Sequence, residues 1–357
     1  MRGNSRPRRA ALFLRQVCHV FTLVFDLDRD SFTRLRNVAS RVVPTHLIMI
    51  PLTASEIRGN WATLLLPIQP DDTIDYTLLA EEIERLIAAG VNGVYSNGTA
   101  GEFHTQTEAE FDRISALLAE NCDRARMPFQ IGLSQPCAQI ALERLRRAKS
   151  LGPSAFQVTL PDWLPPSLPE VLAFLERMAG EASPIPLIVY NPPHAKRKLT
   201  PTEWKEIMAR VPGVAGMKVA GGDEAWYAEM RPLLERFSVF IAGHLLAEGL
   251  ARGARGAYSN VACLSPAGAQ RWYELCIRDP ATGAALGARI GAWWHDNIAP
   301  LIVQDGLSNA AADKAAAVAG GWLAGFTPRV RWPYRFASLE TARAIGERAR
   351  AELPELF

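Results

Sequence analysis

The sequence predicts an α/β protein, a (β/α)₈ TIM barrel with a helical C-terminal extension. From residue 60 onward, short apolar runs typical of buried strands alternate with amphipathic, helix-like segments. Eight such runs in succession favour a parallel sheet that closes into a barrel. The predicted strands are residues 61–68, 91–95, 129–133, 155–160, 185–190, 214–218, 239–242 and 256–258.

An open doubly wound sheet is the structural alternative. It is disfavoured because no Gly-x-Gly-x-x-Gly turn follows the first run and because the strand–helix units number eight. Past about residue 265, helix-like segments continue to the end without strands. We therefore divide the chain into a leader over residues 1–56, a barrel core over 57–265, and the last barrel helix with a C-terminal helical extension over 266–357.

Local signals support several of the intervening helices. In residues 78–87, apolar side chains recur three to four positions apart, as on one face of a helix. Thr107 followed by Glu110 is typical of a capping box, and Thr200 followed by Pro201 places proline at the first helical position.

The leader differs from the rest of the chain in charge. Residues 1–48 hold nine Arg, no Lys and three Asp, a balance of +6, which leaves −4 on the remainder. Arg15, Gln16 and His19 interrupt its apolar stretches, and no small-residue cleavage site follows, so it does not fit a signal peptide. We expect Met49 to be the natural start and the leader not to belong to the native protein. N-terminal sequencing of natively expressed protein that finds Arg2 would contradict this.

Composition excludes several classes of function. A formal charge of +2 gives no reason to expect a nucleic-acid partner, and no apolar run reaches the length of a membrane span. The five cysteines are scattered and never spaced as Cys-x-x-Cys, which argues for reduced thiols in a cytoplasmic protein and against a metal site.

Two residues at predicted strand ends indicate a type of chemistry. Lys218 ends the apolar stretch 211–218, and Tyr190 ends the stretch 185–190. In a parallel barrel, catalytic groups gather at the C-terminal ends of strands. Desolvation there can depress the pKa of a lysine and expose a nucleophilic amine, while a neighbouring phenol can move protons. An amine and a phenol on successive strands therefore suggest imine chemistry on a carbonyl substrate. The alternative is a strand-end lysine that reaches solvent beside a packed tyrosine.

A glycine-containing loop follows the second predicted strand. In Gly98-Thr99-Ala100-Gly101-Glu102, the glycines allow backbone N–H groups to converge on an anion, here a substrate carboxylate. An ordinary surface loop is the alternative interpretation.

From about residue 57 to its end, the chain resembles the dihydrodipicolinate synthase/N-acetylneuraminate lyase family of class I aldolases. The segments that carry the resemblance are 98–102, Tyr190-Asn-Pro-Pro193, Gly216-Met-Lys218 and Thr327-Pro-Arg-Val-Arg-Trp-Pro333. The resemblance implies a homotetramer or homodimer of barrels that needs no metal or organic cofactor.

The resemblance also implies roles for individual residues. Lys218 would form an imine with the keto carbon of pyruvate or another 2-oxo acid, and the imine would act as the electron sink for making or breaking a bond one carbon away. Tyr190 would transfer the associated protons. The backbone at Thr99 and Ala100 would hold the substrate carboxylate, together with Gly98, which precedes them in the loop.

Three departures from the family pattern make the lysine-pathway synthase activity doubtful. Ala100 stands where the synthase branch has a second threonine, Trp163 where it has a relay tyrosine, and Ala195 where it has an arginine that grips a second carboxylate. Trp163 is similar to the aromatic hydratase-aldolase branch, although it could simply pack across the barrel end. With Trp163, we expect Gly243 and Tyr258 to contact substrate, and His194 and His244 to lie near the same opening.

The leading interpretation is a Schiff-base lyase or aldolase that joins a 2-oxo acid to an aldehyde partner, or cleaves the product. The alternatives within the same chemistry are a dehydratase of deoxy-sugar acids and 4-hydroxy-tetrahydrodipicolinate synthase. A non-catalytic 2-oxo-acid-binding protein is the alternative of a different class. Trapping of pyruvate on Lys218 with borohydride separates the enzymes from the binding protein.

Overall fold

The computed structural model describes residues 50–357, and the expectations for residues 1–49, including the start at Met49, lie outside the described residues. Eight parallel strands pair in chain order, and β8 pairs with β1 to close the barrel. The predicted (β/α)₈ barrel is confirmed. The strands are β1 (Gly59–Thr63), β2 (Gly93–Ser96), β3 (Phe129–Gly132), β4 (Ala155–Thr159), β5 (Leu187–Tyr190), β6 (Val214–Lys218), β7 (Ser238–Ala242) and β8 (Gly256–Tyr258).

Helices follow the strands, and beyond β8 the described chain is helical with loops and contains no further strand. The helices are α1 (Tyr76–Ala88), α2 (Glu108–Ala125), α3 (Ala138–Ala148), α4 (Leu168–Ala182), α5 (Pro201–Arg210), α6 (Glu224–Leu234), α7 (Leu246–Ala251), α8 (Val261–Leu264), α9 (Pro266–Arg278), α10 (Pro280–Asn297), α11 (Ala299–Val303), α12 (Asn309–Gly320) and α13 (Leu339–Glu352). Four 3₁₀ turns lie at Phe103–Thr105, Lys149–Leu151, Gly243–Leu245 and Pro354–Leu356.

The predicted helix starts form as expected. Thr107 and Glu110 make a reciprocal capping box at α2, and Thr200 does the same with Glu203 at α5, where Pro201 occupies the first helical position. Each box satisfies backbone N–H groups that have no partner inside the helix.

The barrel interior is a separate core from the layer between strands and helices. It contains aromatic and branched side chains that point inward from alternate strand positions. Gly256 is required where β8 meets β1, because a Cβ at that position would lie 2.1 Å from the Gly59 carbonyl oxygen. The members of this inner core are Ile57, Trp61, Tyr95, Ala155, Ile188, Phe240 and Tyr258.

Helix α12 is fixed to the barrel by a buried charge. The Lys314 ammonium is fully buried and forms an ion pair with Glu102 at the end of the glycine loop. It also donates a hydrogen bond to the Arg329 carbonyl at 2.7 Å. At the other end of the helix, a Cβ on Gly320 would lie 1.7 Å from the Leu264 carbonyl oxygen, so this glycine allows α12 to approach α8 closely.

No helix among residues 50–357 is long and apolar enough to cross a membrane. In the same residues, no group of three or more His, Cys, Asp or Glu side chains is arranged to hold a metal ion.

Candidate active site

Lys218 and Tyr190 lie side by side. They are the last residues of β6 and β5 and are partners in the register of these strands. The Lys218 ammonium lies 4.3 Å from the centre of the Tyr190 ring. The structure therefore brings the two residues together at the C-terminal face of the barrel.

Three tyrosine rings surround the Lys218 amine. Besides Tyr190, the ring centres of Tyr95 and Tyr258 lie 4.8 and 5.0 Å from Nζ. The amine also donates to the Tyr95 hydroxyl at 3.3 Å. Aromatic faces stabilise a cation at these distances, so the three rings favour a positive charge on this nitrogen.

Burial acts against that charge and has the larger effect. It lowers the pKa of Lys218 from 10.5 to about 8, while the negative charge of Asp313 acts in the opposite direction. At pH 7 about one Lys218 side chain in ten is then a free amine. The site therefore supplies both a nucleophilic amine and surroundings that tolerate a cation formed on it.

Tyr190 is suited to donate a proton. Burial raises the pKa of its phenol to about 12, and a hydrogen bond with Thr99 acts against this rise. The phenol therefore keeps its proton at neutral pH, within reach of any group bonded to Lys218.

The glycine loop, residues 98–102, lies directly beside this pair. Thr99 and Ala100 line the cavity over Lys218, whereas Gly98 lies behind them against the Tyr95 ring. The loop ends at Glu102, which adopts a left-handed φ of 50°. Its carboxylate accepts from the Arg331 backbone N–H at 2.9 Å and pairs with Lys314. Buried partners thus hold the loop in place.

The cavity over Lys218 has a volume of about 380 Å³, and most of its wall is apolar. Within the described chain, no arginine lines it. The lining residues include Tyr95, Thr99, Tyr190, His244, Tyr258, Asn260, Cys263, Trp294, Ile298, Ile302 and Asp313.

His244 lines this cavity and is held by Asn260. Its backbone N–H donates to Asn260 Oδ1 at 3.0 Å, which orients the amide so that Nδ2 faces the imidazole Nδ1 at 2.9 Å. Because an amide nitrogen only donates, Nδ1 accepts and the ring proton lies on Nε2. Burial lowers the pKa of His244 and favours this neutral form, and the ring stacks on Trp294.

Asp313 on α12 is a further charged residue of the cavity that sequence reasoning missed. Its side chain is half-buried in the cavity wall, and this burial raises the pKa of its carboxyl to about 7, while the charge of Lys218 lowers it. Tyr95 was also missed. It precedes the last residue of β2, and the period-2 alternation of the strand could have identified it as inward-facing.

Two of the expected contact residues lie away from the cavity. The Trp163 side chain is 81% exposed, and its ring contacts the Lys196 ammonium, 5.2 Å from the ring centre. Gly243 begins the turn after β7, where a Cβ would lie 2.7 Å from the Asn260 and Ser259 side chains. In this chain its role is to admit the loop after β8, and direct contact with substrate stays a prediction.

Tyr258 lies in the cavity, but its hydroxyl is engaged elsewhere. It donates to Gln130 Oε1 at 2.6 Å, so the ring face is the part that meets Lys218. Ala195 and His194 line a smaller recess of about 80 Å³ on the other side of Tyr190. The nearby Arg197 pairs with Glu203 and does not reach the Lys218 cavity.

The model of the dihydrodipicolinate synthetase family matches residues 56–290. Among curated relatives, a trans-O-hydroxybenzylidenepyruvate hydratase-aldolase from Pseudomonas putida is 30% identical over 178 residues, which are 48% of this chain and 53% of that protein. A 4-hydroxy-tetrahydrodipicolinate synthase from Methylococcus capsulatus is 30% identical over 244 residues, 67% of this chain and 83% of that protein. The chain thus spans about half the length of the hydratase-aldolase it matches.

Solved structures agree in fold. A putative dihydrodipicolinate synthetase from Pseudomonas aeruginosa superposes with a TM-score of 0.72 at 24% identity, covering 84% of this chain and 100% of that one. A prophage protein of the dihydrodipicolinic acid synthase family from E. coli K12, solved with pyruvate, gives a TM-score of 0.73 at 20% identity and covers 84% and 99%.

Proposed function

The chain belongs to the dihydrodipicolinate synthetase family, and on that premise we propose that it is a class I aldolase-type lyase acting through an imine on Lys218. Its donor substrate is pyruvate or a closely related 2-oxo acid, and its second substrate is an aldehyde. The observation that carries the proposal is the half-buried Lys218 side chain, whose amine lies within a ring of three tyrosines beside the protonated phenol of Tyr190.

The donor half of the reaction follows from these groups. The Lys218 amine attacks the keto carbon, loss of water gives the imine, and the protonated imine withdraws electrons from the neighbouring carbon. Tyr190 donates and recovers the proton that moves during imine formation. The backbone at Thr99 and Ala100 receives the substrate carboxylate, next to the phenol that Thr99 orients.

The lining of the cavity argues against an acceptor aldehyde that carries its own carboxylate. A second carboxylate would need a cationic partner, and within residues 50–357 no arginine lines the Lys218 cavity. Apolar residues such as Trp294, Ile298 and Ile302 form much of the wall instead. These features support an uncharged aldehyde, and the likeness to a hydratase-aldolase of an aryl-substituted pyruvate points in the same direction.

The synthase reaction of the other relative is the second candidate, favoured by the longer alignment to that protein. The absence of arginine from the cavity wall argues against it. We expect no condensation of pyruvate with aspartate semialdehyde, and restoring Ala195→Arg alone does not create it because Ala100 remains.

Borohydride trapping with pyruvate tests the proposed function directly. We expect a reduced pyruvyl adduct on the peptide that contains Lys218, and none on that peptide in Lys218→Ala. Lys149, whose ammonium donates to the Glu181 carbonyl at 2.7 Å outside the barrel mouth, serves as the control lysine in the same digest. An adduct on surface lysines alone, or no adduct with any of several 2-oxo acids, would refute the imine mechanism.

We further propose that the protein works in the cytoplasm as a homotetramer or homodimer. The scattered cysteines support a reducing compartment, and family membership supports an assembly of barrels. Sedimentation velocity of the purified chain tests the assembly, since a monomer at micromolar concentration would contradict it.

A further inference from the structure

Asp313 has a position that the proposed function does not yet use. It lies on α12, a helix in which seven of twelve residues are alanine and whose only other charge is the neighbouring Lys314. Successive helix residues project about 100° apart, so these two side chains face different surroundings. Lys314 points to Glu102 and the Arg329 carbonyl, while Asp313 faces the cavity over Lys218. The buried Lys314 contacts therefore fix the rotation of α12 and with it the direction of Asp313.

The Asp313 carboxyl has no hydrogen-bond or ion-pair partner within the described part of the chain. Lys314 is engaged by other groups, and Lys218 influences Asp313 only at longer range. The side chain is half-buried, and withdrawing a carboxyl from water without a protein partner is costly unless another group occupies its hydrogen-bonding capacity. The cavity is the side on which a bound molecule could do so.

A role as simple counter-ion to Lys218 fits the geometry poorly. A counter-ion is expected in contact with its partner, and the amine is in contact with tyrosines instead. In an imine adduct, the hydroxyl oxygen is bonded to the second carbon beyond the imine carbon. Ordinary bond lengths place this oxygen about 4–5 Å from Nζ. A carboxyl that shares the cavity but does not touch the amine can reach such an oxygen.

We propose that Asp313 is the acid–base residue of the acceptor half-reaction, acting on the oxygen of an uncharged aldehyde. This inference rests on the proposed function, since it requires the imine at Lys218. In the synthase branch of the family, the residues at positions 100 and 163 carry hydroxyl groups, whereas this chain has Ala100 and Trp163 there. Asp313 would take over the proton transfer for which those hydroxyls are used.

In the cleavage direction, the Asp313 carboxylate removes the proton from the hydroxyl of the imine-bound adduct. The O–H electron pair forms the aldehyde C=O, and the C–C bond breaks. Its electron pair passes through the adjacent carbon to the iminium nitrogen, which gives a neutral enamine on Lys218. Condensation reverses these steps, and Asp313 returns the proton to the forming alkoxide.

The protonation equilibrium of Asp313 suits both cleavage and condensation, and its negative charge restricts which aldehydes can bind. A pKa of about 7 leaves roughly half of the carboxyl protonated at neutral pH, so donor and acceptor forms are both populated. An acceptor that carried its own carboxylate at this end of the cavity would be repelled by the ionised form. The site is therefore expected to favour benzaldehyde over 4-carboxybenzaldehyde.

The test separates the two halves of the reaction in Asp313→Asn. The donor half is measured without any aldehyde, by borohydride trapping and by NMR of methyl-proton exchange of pyruvate in D₂O. The acceptor half is measured as condensation of pyruvate with benzaldehyde, 4-carboxybenzaldehyde, butanal and glyceraldehyde. Asp305→Asn is the matched control, because it makes the same change on an exposed carboxylate just before α12.

We expect Asp313→Asn to lower the condensation kcat by about 10²–10⁴-fold, the range for loss of a positioned acid–base group, and to retain pyruvate exchange within about threefold. The preference for benzaldehyde over its carboxylated analogue should narrow. The condensation kcat of wild type should decline above about pH 7, because Asp313 then loses the proton that it donates to the alkoxide. Asp313→Asn should remove that decline.

The other titratable groups facing Asp313 are Lys218 on β6, Tyr95 on β2, Tyr190 on β5, Cys263 on α8 and His244 after β7.

The other possible results contradict either the role of Asp313 or the proposed function as a whole. Wild-type condensation rates in Asp313→Asn would overturn the inference, as would equal loss of exchange and condensation, which indicates a structural role. Pyruvate exchange by wild type without condensation of any uncharged aldehyde would also overturn it. Absence of both the Lys218 adduct and exchange in wild type would instead refute the proposed function.

Discussion

Imine formation at Lys218 should rise with pH to a midpoint near 8. Burial disfavours the ammonium form and lowers the pKa of this side chain from 10.5 to about 8. That shift makes the free amine about 300-fold more abundant at pH 7 than in an ordinary lysine. Below the midpoint, the rate of adduct formation should fall about tenfold per pH unit, because only the free amine attacks the keto carbon.

The assay is a timed incubation with pyruvate at pH 6 to 9.5, quenched with borohydride and quantified on the Lys218 peptide. Pyruvate stays ionised throughout this range, so the pH dependence reports the protein. Because the negative charge of Asp313 raises the pKa of Lys218, Asp313→Asn should move the midpoint below 8, whereas Asp305→Asn should leave it in place. A rate that still climbs at pH 9.5 in wild type, as for an exposed lysine, would refute the claim that burial activates this amine.

Three other substitutions have expected outcomes. Lys218→Ala should abolish turnover with unchanged circular dichroism, and measurable residual turnover would contradict the imine mechanism. Tyr190→Phe should lower kcat by about 10²–10⁴-fold while the protein still binds pyruvate, and a wild-type rate would remove the phenol from the mechanism. Lys314→Met should lower the free energy of unfolding by about 3–5 kcal/mol in denaturant titrations, because it leaves the Glu102 carboxylate buried without its partner. Adding Glu102→Gln to that variant should recover part of the loss, and no recovery would argue against the ion pair as the cause.

The barrel could be predicted from the sequence because each element carries its own local signal. Buried parallel strands appear as short apolar runs, and capping boxes such as that of Thr107 mark where helices begin. The rule that function lies at the C-terminal ends of strands then selected Lys218 and Tyr190, which are partners across β5 and β6. For these residues, position in the chain already determines position in the fold.

The remainder of the site depends on information that no local pattern contains. Trp163 was expected at the cavity because of its place after the fourth strand, yet loop conformation decides where such a side chain points, and the ring lies exposed against Lys196. Tyr95 looks like an ordinary strand residue until the barrel closes and brings its hydroxyl within 3.3 Å of Lys218.

Asp313 shows most clearly why the acceptor side is harder to predict than the donor side. Adjacent opposite charges in an alanine-rich helix are typical of a solvated face, so no local pattern marks Lys314 as buried or Asp313 as facing a cavity. Both positions depend on α12 folding back over the barrel mouth, some 95 residues after Lys218 in the chain. The pair proposed to form the imine thus lies on the barrel strands, whereas Asp313 and the rest of the α12 cavity wall come from the C-terminal extension. On the proposed function, we expect substitutions on α12 to change which aldehyde is accepted while Lys218 and Tyr190 stay unchanged. Chimaeras that exchange this helix should therefore alter acceptor preference before they alter pyruvate exchange.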